Sequence, residues 1–139
     1  MAVRYENEFF TIHDLDTRVV QITRLPRSFT SQEEVETACR PVQRTLDGLP
    51  RAGFALLLDA RQARGSNDPA HEEWFAAHRA RMVQGFRSVA ILMRTAIGAL
   101  HSERLTRADG TREKLRIFQD FDEACLHLGV RPPKPPCAA

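Results

Sequence analysis

The chain has 139 residues and a mass of 15.8 kDa, enough for one domain with a hydrophobic core and too few for two. Its 20 basic residues are interleaved with 18 acidic ones, and the net charge of only +2 argues against nucleic acid as the main partner. We find neither a signal-peptide pattern nor an apolar run near the ~20 residues that cross a bilayer, and therefore expect a cytoplasmic protein without membrane insertion. Cys39, Cys125 and Cys137 are too widely spaced to indicate a disulfide framework or a zinc site, so we expect no metal or cofactor.

The first predicted elements are two strands and a helix. Residues 9–14 and 18–25 are rich in β-forming side chains and flank a polar turn, which indicates a hairpin. Ser31 and Glu34 have the spacing of a capping box, and apolar residues then recur at steps of three and four, which predicts an amphipathic helix. Pro41 lies inside that pattern, where it should kink or restart the helix.

The rest of the chain alternates between strands and helices. Residues 54–59 are uniformly apolar up to Asp59 and predict a strand buried on both faces. Asp68 followed by Pro69 predicts the start of a helix that ends near Gly85. The later predicted elements are a buried strand at 88–95, a short helix at 96–106, a strand at 114–118, and a helix capped by Asp120 or Asp122 and ended by Gly129.

This order of elements, ββαβαβαβα, predicts an α/β fold. We expect a single-layer, mixed and mostly parallel five-stranded sheet packed with about four helices. Residues 1–130 would form this one domain. Residues 131–139, RPPKPPCAA, predict a flexible proline-rich extension.

The junction between the buried strand and the next helix holds the leading candidate site. Asp59 ends the strand, and the loop brings Ser66, Asn67 and Asp68 to a helix start. Ligands and modifying groups gather outside the carboxyl ends of strands in open α/β sheets. Ser66 is the candidate phosphorylation site, because helix N–H groups would stabilise the added charge. The alternative is an ordinary turn in which Asp68 does nothing but cap the helix.

Arginines near the same loops are the second set of candidates. Arg61, Arg64, Arg94 and also Arg104 would bind an anionic group if they converge. Solvated surface arginines are the alternative interpretation. The predicted helix after Asp68 places Trp74, Phe75 and Met82 on one apolar face, which either packs on the sheet or lines a ligand pocket. No nucleophile and base, and no catalytic motif, can be assembled, so we predict no enzyme and no catalytic residues.

Response-regulator receiver domains have acids and a phosphoacceptor aspartate in a similar order along the chain. The residues that mimic this order are Asp14 and Asp16, Asp59, Thr95 and Lys114. Two departures weaken the likeness. Residues 18–25 predict a strand where a receiver has its first helix, and Lys114 falls at the beginning of the last strand instead of its end.

The element order, the chain length, the junction DARQARGSNDP and the later segment VAILMRTAIG together resemble the STAS family, the anti-sigma-factor-antagonist type of domain. The resemblance covers about residues 7–130, includes bacterial stand-alone relatives related in fold to lipid-binding SEC14 modules, and rests on topology. It implies phosphorylation of a serine or threonine after the third strand by a kinase-type anti-sigma factor. Ser66 is the nearest match in position, although the Asp-Ser-Ser-Gly type of sequence around it is missing.

These observations favour a non-catalytic regulatory or protein-interaction module that acts through residues 60–70 and the helix behind them, with a homodimer expected. The alternative is a small-ligand or lipid-binding protein. Its apolar pocket would lie between the sheet and the helices, with Arg61 or Arg94 holding an anionic head. A receiver-like phosphoacceptor is the third hypothesis.

Overall fold

A computed structural model describes residues 2–63, 69–95 and 115–130 of the chain. The described strands are β1 Val3–Glu6, β2 Phe10–Asp16, β3 Val19–Arg24, β4 Ala55–Asp59, β5 Ser88–Leu92 and β6 Leu115–Phe118. The described helices are α1 Gln32–Asp47, α2 Pro69–Val83 and α3 Phe121–Leu128, with a 3-10 turn at Arg51–Gly53. Several predictions lie outside the described residues, namely those for Arg64, Ser66, Asn67, Asp68, Arg104, Lys114, Cys137, the helix at 96–106 and the segment 131–139.

The strands form one mixed sheet in chain order from β1 to β6. The β1–β2 and β2–β3 pairs are antiparallel, whereas β3 to β6 run parallel, so the predicted α/β class with a mixed sheet is confirmed. The predicted count of five strands is wrong, because β1 adds a sixth at the edge. Val3 and Tyr5 alternate with Arg4 and Glu6, but a run of only four residues, with Val3 exposed, is too short to stand out as a strand in the sequence.

The sheet separates two apolar layers. Helices α1 and α2 pack on one face, which we call the α1/α2 face; Val20, Ile22, Leu56 and Leu58 point to it. Helix α3 packs on the other, the α3 face, where Ala55, Leu57, Ala90 and Leu92 form a second core. All five residues of β4 are buried, as predicted for a strand covered on both faces.

Helix α1 begins with the predicted cap. The Ser31 hydroxyl accepts a hydrogen bond from the Glu34 amide at 3.1 Å, and the Glu34 carboxylate accepts one from the Thr30 amide at 3.0 Å. The helix does not restart at Pro41, since one helix continues to Asp47. The proline costs one backbone hydrogen bond, but packing of the apolar face on both sides of it keeps the helix continuous. That buried face consists of Val35, Ala38, Cys39, Val42 and Leu46.

Short structural signals end the other helices. Gly129 follows α3 with a φ of 78°, and Asp120 caps its first turn, as predicted. Gly85, with a φ of 85°, lies two residues beyond the last residue of α2. No helix in the described ranges has the length and apolar character needed to cross a membrane.

Candidate functional site

The carboxyl ends of the parallel strands lie along one edge of the sheet, which we call the carboxyl edge. Strand register aligns Thr23 of β3 with Asp59 of β4 and Leu92 of β5. Arg61, Arg94 and Thr95 follow directly after these strands. The structure therefore brings the predicted candidates Asp59, Arg61, Arg94 and Thr95 to one edge, as the topology of an open α/β sheet requires.

Asp59 and Arg61 form a closed ion pair at this edge. Asp59 is buried, and its Oδ1 accepts hydrogen bonds from the Arg61 amide at 3.1 Å and from Arg61 Nε at 3.0 Å. Arg61 Nη2 donates to Oδ2 at 2.9 Å, and the hydrogen bond to Asp59 raises the pKa of the Arg61 guanidinium. One carboxylate thus fixes both the backbone and the side chain of Arg61 just beyond the end of β4.

Two buried polar residues that sequence reasoning missed support this carboxylate. Gln21 Nε2 donates to Thr23 Oγ1 at 3.0 Å and to Asp59 Oδ2 at 3.5 Å. All three side chains are buried on the α3 face. A sequence signal was available, because Gln21 and Thr23 are polar residues two positions apart in a predicted strand and so share one face.

His13 extends the polar cluster onto strand β2. It pairs with Gln21 across the antiparallel β2–β3 ladder. Burial lowers the pKa of His13, and the nearby carboxylates of Asp14 and Asp59 oppose that shift. The imidazole is therefore held toward its neutral form beside the Asp59 cluster.

Arg61 connects the buried cluster to the surface. Its side chain is 42% exposed, and its guanidinium lies 5.6 Å from the centre of the Phe121 ring at the start of α3. Arginine carries five N–H donors, of which the two side-chain bonds to Asp59 occupy two. The remaining donors can bind a carboxylate or phosphate presented from outside.

Trp74 lies away from this cluster. It is half-buried and packs against the core of the α1/α2 face, whereas Asp59 and Gln21 lie on the α3 face. Asp59 and Trp74, which were predicted to belong to one site, therefore lie on opposite faces of the sheet. Sequence reasoning also missed Arg24, which is buried at the end of β3 with its guanidinium 4.3 Å from the centre of the Phe75 ring.

The residues proposed to line an apolar pocket are packed in the core instead. The Phe75 ring centre lies 6.0 Å from those of Phe10 and of Phe29, and Met82 is fully buried. These rings fill the space between β2 and α2. Phe75 and Met82 are therefore core residues and do not wall an open cavity.

The acids of the receiver comparison lie at opposite ends of the sheet. Asp14 and Asp16 pair with Val20 and Val19 at the start of β3, whereas Asp59 pairs with Thr23 near its end. Three to four residues of strand correspond to roughly 10–13 Å. The structure thus does not bring these acids together around Asp59.

Ser88 and His127 form a contact that the sequence did not reveal. The Ser88 hydroxyl lies 3.2 Å from His127 Nε2, but the Val89 carbonyl oxygen also lies 3.2 Å from the same nitrogen. A carbonyl oxygen only accepts hydrogen bonds, so Nε2 carries a proton and donates. It is then unable to act as the base that would activate Ser88.

An open cleft of about 550 Å³ lies between the β1–β2 turn and the first half of α1. It is separate from the Asp59 cluster. The residues that line it are Tyr5, Asn7, Glu8, Phe9, Ser31, Glu33, Glu34, Thr37, Ala38 and Pro41.

Within residues 2–63, 69–95 and 115–130, no three His, Cys, Asp or Glu side chains are grouped to hold a metal ion. No protein-family model, curated protein or solved structure matches this chain.

Proposed function

We propose that this chain is a non-catalytic, STAS-like interaction module that binds a protein partner through its carboxyl edge. The contact surface would comprise the 60–70 loop with Arg61, the neighbouring Arg94, and helix α2. The observation that carries the proposal is the Asp59–Arg61 pair, which holds a half-exposed guanidinium at the base of that loop. Phosphorylation of Ser66, five residues after Arg61 in the sequence, would switch the partner on or off by adding a charge of about −2.

The state of Asp59 favours a binding role over a catalytic one. Its two oxygens accept hydrogen bonds from Arg61 and Gln21, so the carboxylate acts as an anchor for neighbouring groups. The contact between Ser88 and His127 lacks a free base, as argued above. A fixed and partly exposed arginine is the kind of residue that recognises carboxylates or phosphates on a partner.

The filled core favours a protein partner over a small apolar ligand. The rings of Phe10, Phe29 and Phe75 are packed between the sheet and α2, where the lipid-binding hypothesis requires a cavity. The chain-order sheet with its parallel strands β3 to β6 also supports the STAS comparison at the level of topology. A regulatory module of this type needs an accessible edge and no internal cavity.

The test is native mass spectrometry of the tagged protein purified from its own host. We expect the chain to carry a protein partner in a fixed ratio, and a fraction of it to carry phosphate on Ser66. Arg61→Ala should lower the bound fraction about tenfold, the effect of losing a central charged contact. Ser66→Asp should shift the bound fraction in the same direction as the phosphate does.

Arg87→Ala is the matched control, because Arg87 is also exposed but precedes β5 at the opposite edge of the sheet. It should leave the partner bound. A bound fraction that Arg61→Ala leaves unchanged would contradict the proposed contact surface, and one that Ser66→Asp leaves unchanged would contradict regulation by phosphorylation. A copurifying molecule of a few hundred daltons would instead support the ligand-binding alternative, and phosphate on Asp59 would support the receiver alternative.

A further inference from the structure

The cleft beside α1 has a distinct chemical character. Of the ten residues that line it, three are glutamates and none is basic. Tyr5, Phe9, Ala38 and Pro41 supply apolar surface between these carboxylates. A volume of about 550 Å³ is in the range of a binding site for a short segment or a small molecule.

Hydrogen bonds of the Asn7 side chain hold the two walls of the cleft together. Its Oδ1 accepts hydrogen bonds from the Phe9 and Phe10 amides at 2.8 Å each, which fixes the turn between β1 and β2. Its Nδ2 donates to the Ala38 carbonyl and to the Tyr5 hydroxyl, both at 3.2 Å. One side chain therefore fastens the hairpin to α1, so both walls of the cleft keep their spacing.

The carboxylates at the rim give the cleft a negative potential. Glu8 pairs with Arg27, and Glu34 binds the Thr30 amide and hydroxyl. Within the described part of the chain, Glu33 makes no ion pair. Because Glu33 is exposed in the first turn of α1, its carboxylate is accessible to a cationic group of a binding partner.

Aromatic and apolar grooves flanked by carboxylates suit basic, proline-rich segments. Such segments adopt an extended polyproline helix with little conformational entropy to lose, and their prolines pack on aromatic rings. The chain itself contains one, RPPKPP at residues 131–136, with Arg131 and Lys134 separated by two prolines. We propose that the cleft binds residues 131–136 of a second copy of this chain.

The position of Val130 requires the segment to come from another copy. Val130 is buried on the α3 face against a core that includes Val19 and Ala55, at the starts of β3 and β4. The cleft lies on the α1/α2 face, beside the end of β3. Residues 131–136 extend at most about 20 Å, and Arg131 is within ~4 Å of Val130, so this segment is too short to pass around the sheet.

Exchange of segments between two copies gives a symmetric dimer with both clefts filled. This proposal is independent of the carboxyl-edge function, because the cleft shares no residue with the Asp59 cluster. The test is an NMR titration with a synthetic peptide of residues 129–139, carried out on the full chain diluted until sedimentation shows it to be monomeric, so that its own segment does not occupy the cleft. We expect amide shifts concentrated at Tyr5, Asn7 and Thr37, together with binding that weakens as salt is added.

Glu33→Lys is the decisive variant. It should weaken binding of the peptide about tenfold, because it places a like charge opposite Arg131 or Lys134. Glu36→Lys is its control, since Glu36 is exposed on the same helix but does not line the cleft. A peptide in which both basic residues are glutamate should bind Glu33→Lys better than it binds the wild-type chain.

Sedimentation of the full chain completes the test. Dimers should form above the dissociation constant measured for the peptide, and Glu33→Lys should weaken them while circular dichroism shows unchanged helix content. Equal peptide binding by Glu33→Lys and Glu36→Lys, or no peptide shifts at millimolar concentration, would overturn the proposal. A chain that stays monomeric above the peptide's dissociation constant would overturn the assignment to a second copy.

Discussion

The Asp59 carboxylate and the Arg61 guanidinium are joined by two hydrogen bonds, of 3.0 and 2.9 Å, at the point where β4 ends. The carboxylate is buried while the guanidinium is 42% exposed. The buried end of β4 therefore determines where the exposed guanidinium of Arg61 lies. This is the structural basis for placing the proposed partner contact at the carboxyl edge.

Replacing Asp59 with alanine should destabilise the protein. The change removes the acceptor of the Arg61 bonds and leaves buried Gln21 with one partner fewer. Loss of a partner for buried polar groups costs about 1–3 kcal/mol of the free energy of unfolding. Urea unfolding followed by circular dichroism measures this difference.

Asp14→Ala is the matched control for that prediction. Asp14 pairs with Arg4, and both side chains are about a third exposed, at 33% and 35%. Exposed pairs contribute less than about 1 kcal/mol, so the unfolding midpoint should change little. If Asp14→Ala destabilises the chain as much as Asp59→Ala does, the Asp59 cluster has no special structural role.

The ring cluster between the sheet and α2 gives a second prediction. Phe75 contacts the rings of Phe10 and Phe29 and carries the Arg24 guanidinium 4.3 Å above its own ring. Phe75→Ala should lower the free energy of unfolding by about 3–5 kcal/mol, because it removes a buried ring and leaves a cavity. Leu126→Ala is the comparison: Leu126 is 67% exposed, and its loss should change stability by less than about 0.5 kcal/mol.

The outcome for Phe75 also bears on the ligand hypothesis. If the ring lined a ligand pocket, its removal would enlarge that pocket and cost little stability. A loss below about 1 kcal/mol in Phe75→Ala would therefore contradict the packed core described here. Equal losses of stability in Phe75→Ala and Leu126→Ala would also contradict the packed core.

The spacing of apolar residues predicted the elements in which buried positions recur regularly along the sequence. Strand β4, apolar up to Asp59, and the amphipathic helix α1 follow from the spacing of their apolar residues, because the same pattern of burial repeats along each element. Strand β1 escaped prediction because its alternation of Val3 and Tyr5 with Arg4 and Glu6 lasts only four residues. Its pairing with β2 depends on backbone hydrogen bonds, which any side-chain sequence can make.

The candidate site was predictable only in part. Asp59 and Arg61 follow from their place after a buried strand, since topology takes such residues to the carboxyl edge. The partnership of Asp59 with Gln21 spans 38 residues and depends on strand register. The cleft beside Asn7 depends on how a turn and a helix meet, and no local pattern in the sequence reports that contact.

Two glycines provide a third prediction about local backbone. Gly129 ends α3 with a φ of 78°, in the left-handed region that favours glycine. Gly129→Ala should therefore reduce the free energy of unfolding by about 1 kcal/mol. Gly53 lies in the 3-10 turn with no atom within 4 Å of an added Cβ and no positive φ, so Gly53→Ala should be neutral or slightly stabilising.

Thermal and urea unfolding of both alanine variants measure this contrast. If Gly129→Ala is as stable as Gly53→Ala, the left-handed cap is not required to end the helix. The comparison is informative because both changes add one methyl group, and only the backbone conformation differs between the sites.

The last prediction concerns pH. Burial lowers the pKa of both His13 and His78, and the nearby Arg81 guanidinium lowers that of His78 further. Arg81 Nη2 donates to His78 Nδ1 at 3.1 Å, so this nitrogen carries a lone pair and protonation there would remove the bond. Both imidazoles are thus favoured in the neutral form when the chain is folded.

Because the pKa of these histidines is lower in the folded chain than the ordinary value of about 6.5, the unfolded chain binds protons first as the pH falls. The free energy of unfolding should therefore be constant above about pH 7 and decrease from about pH 6.5 downward, until the folded-state pKa values are passed. Urea midpoints measured from about pH 7.5 to about pH 5.5 test this before most carboxylates titrate. His78→Gln should make the decrease shallower, and the His13→Gln, His78→Gln double variant should make it shallower still. A double variant that keeps the wild-type slope would show that other groups set the acid sensitivity.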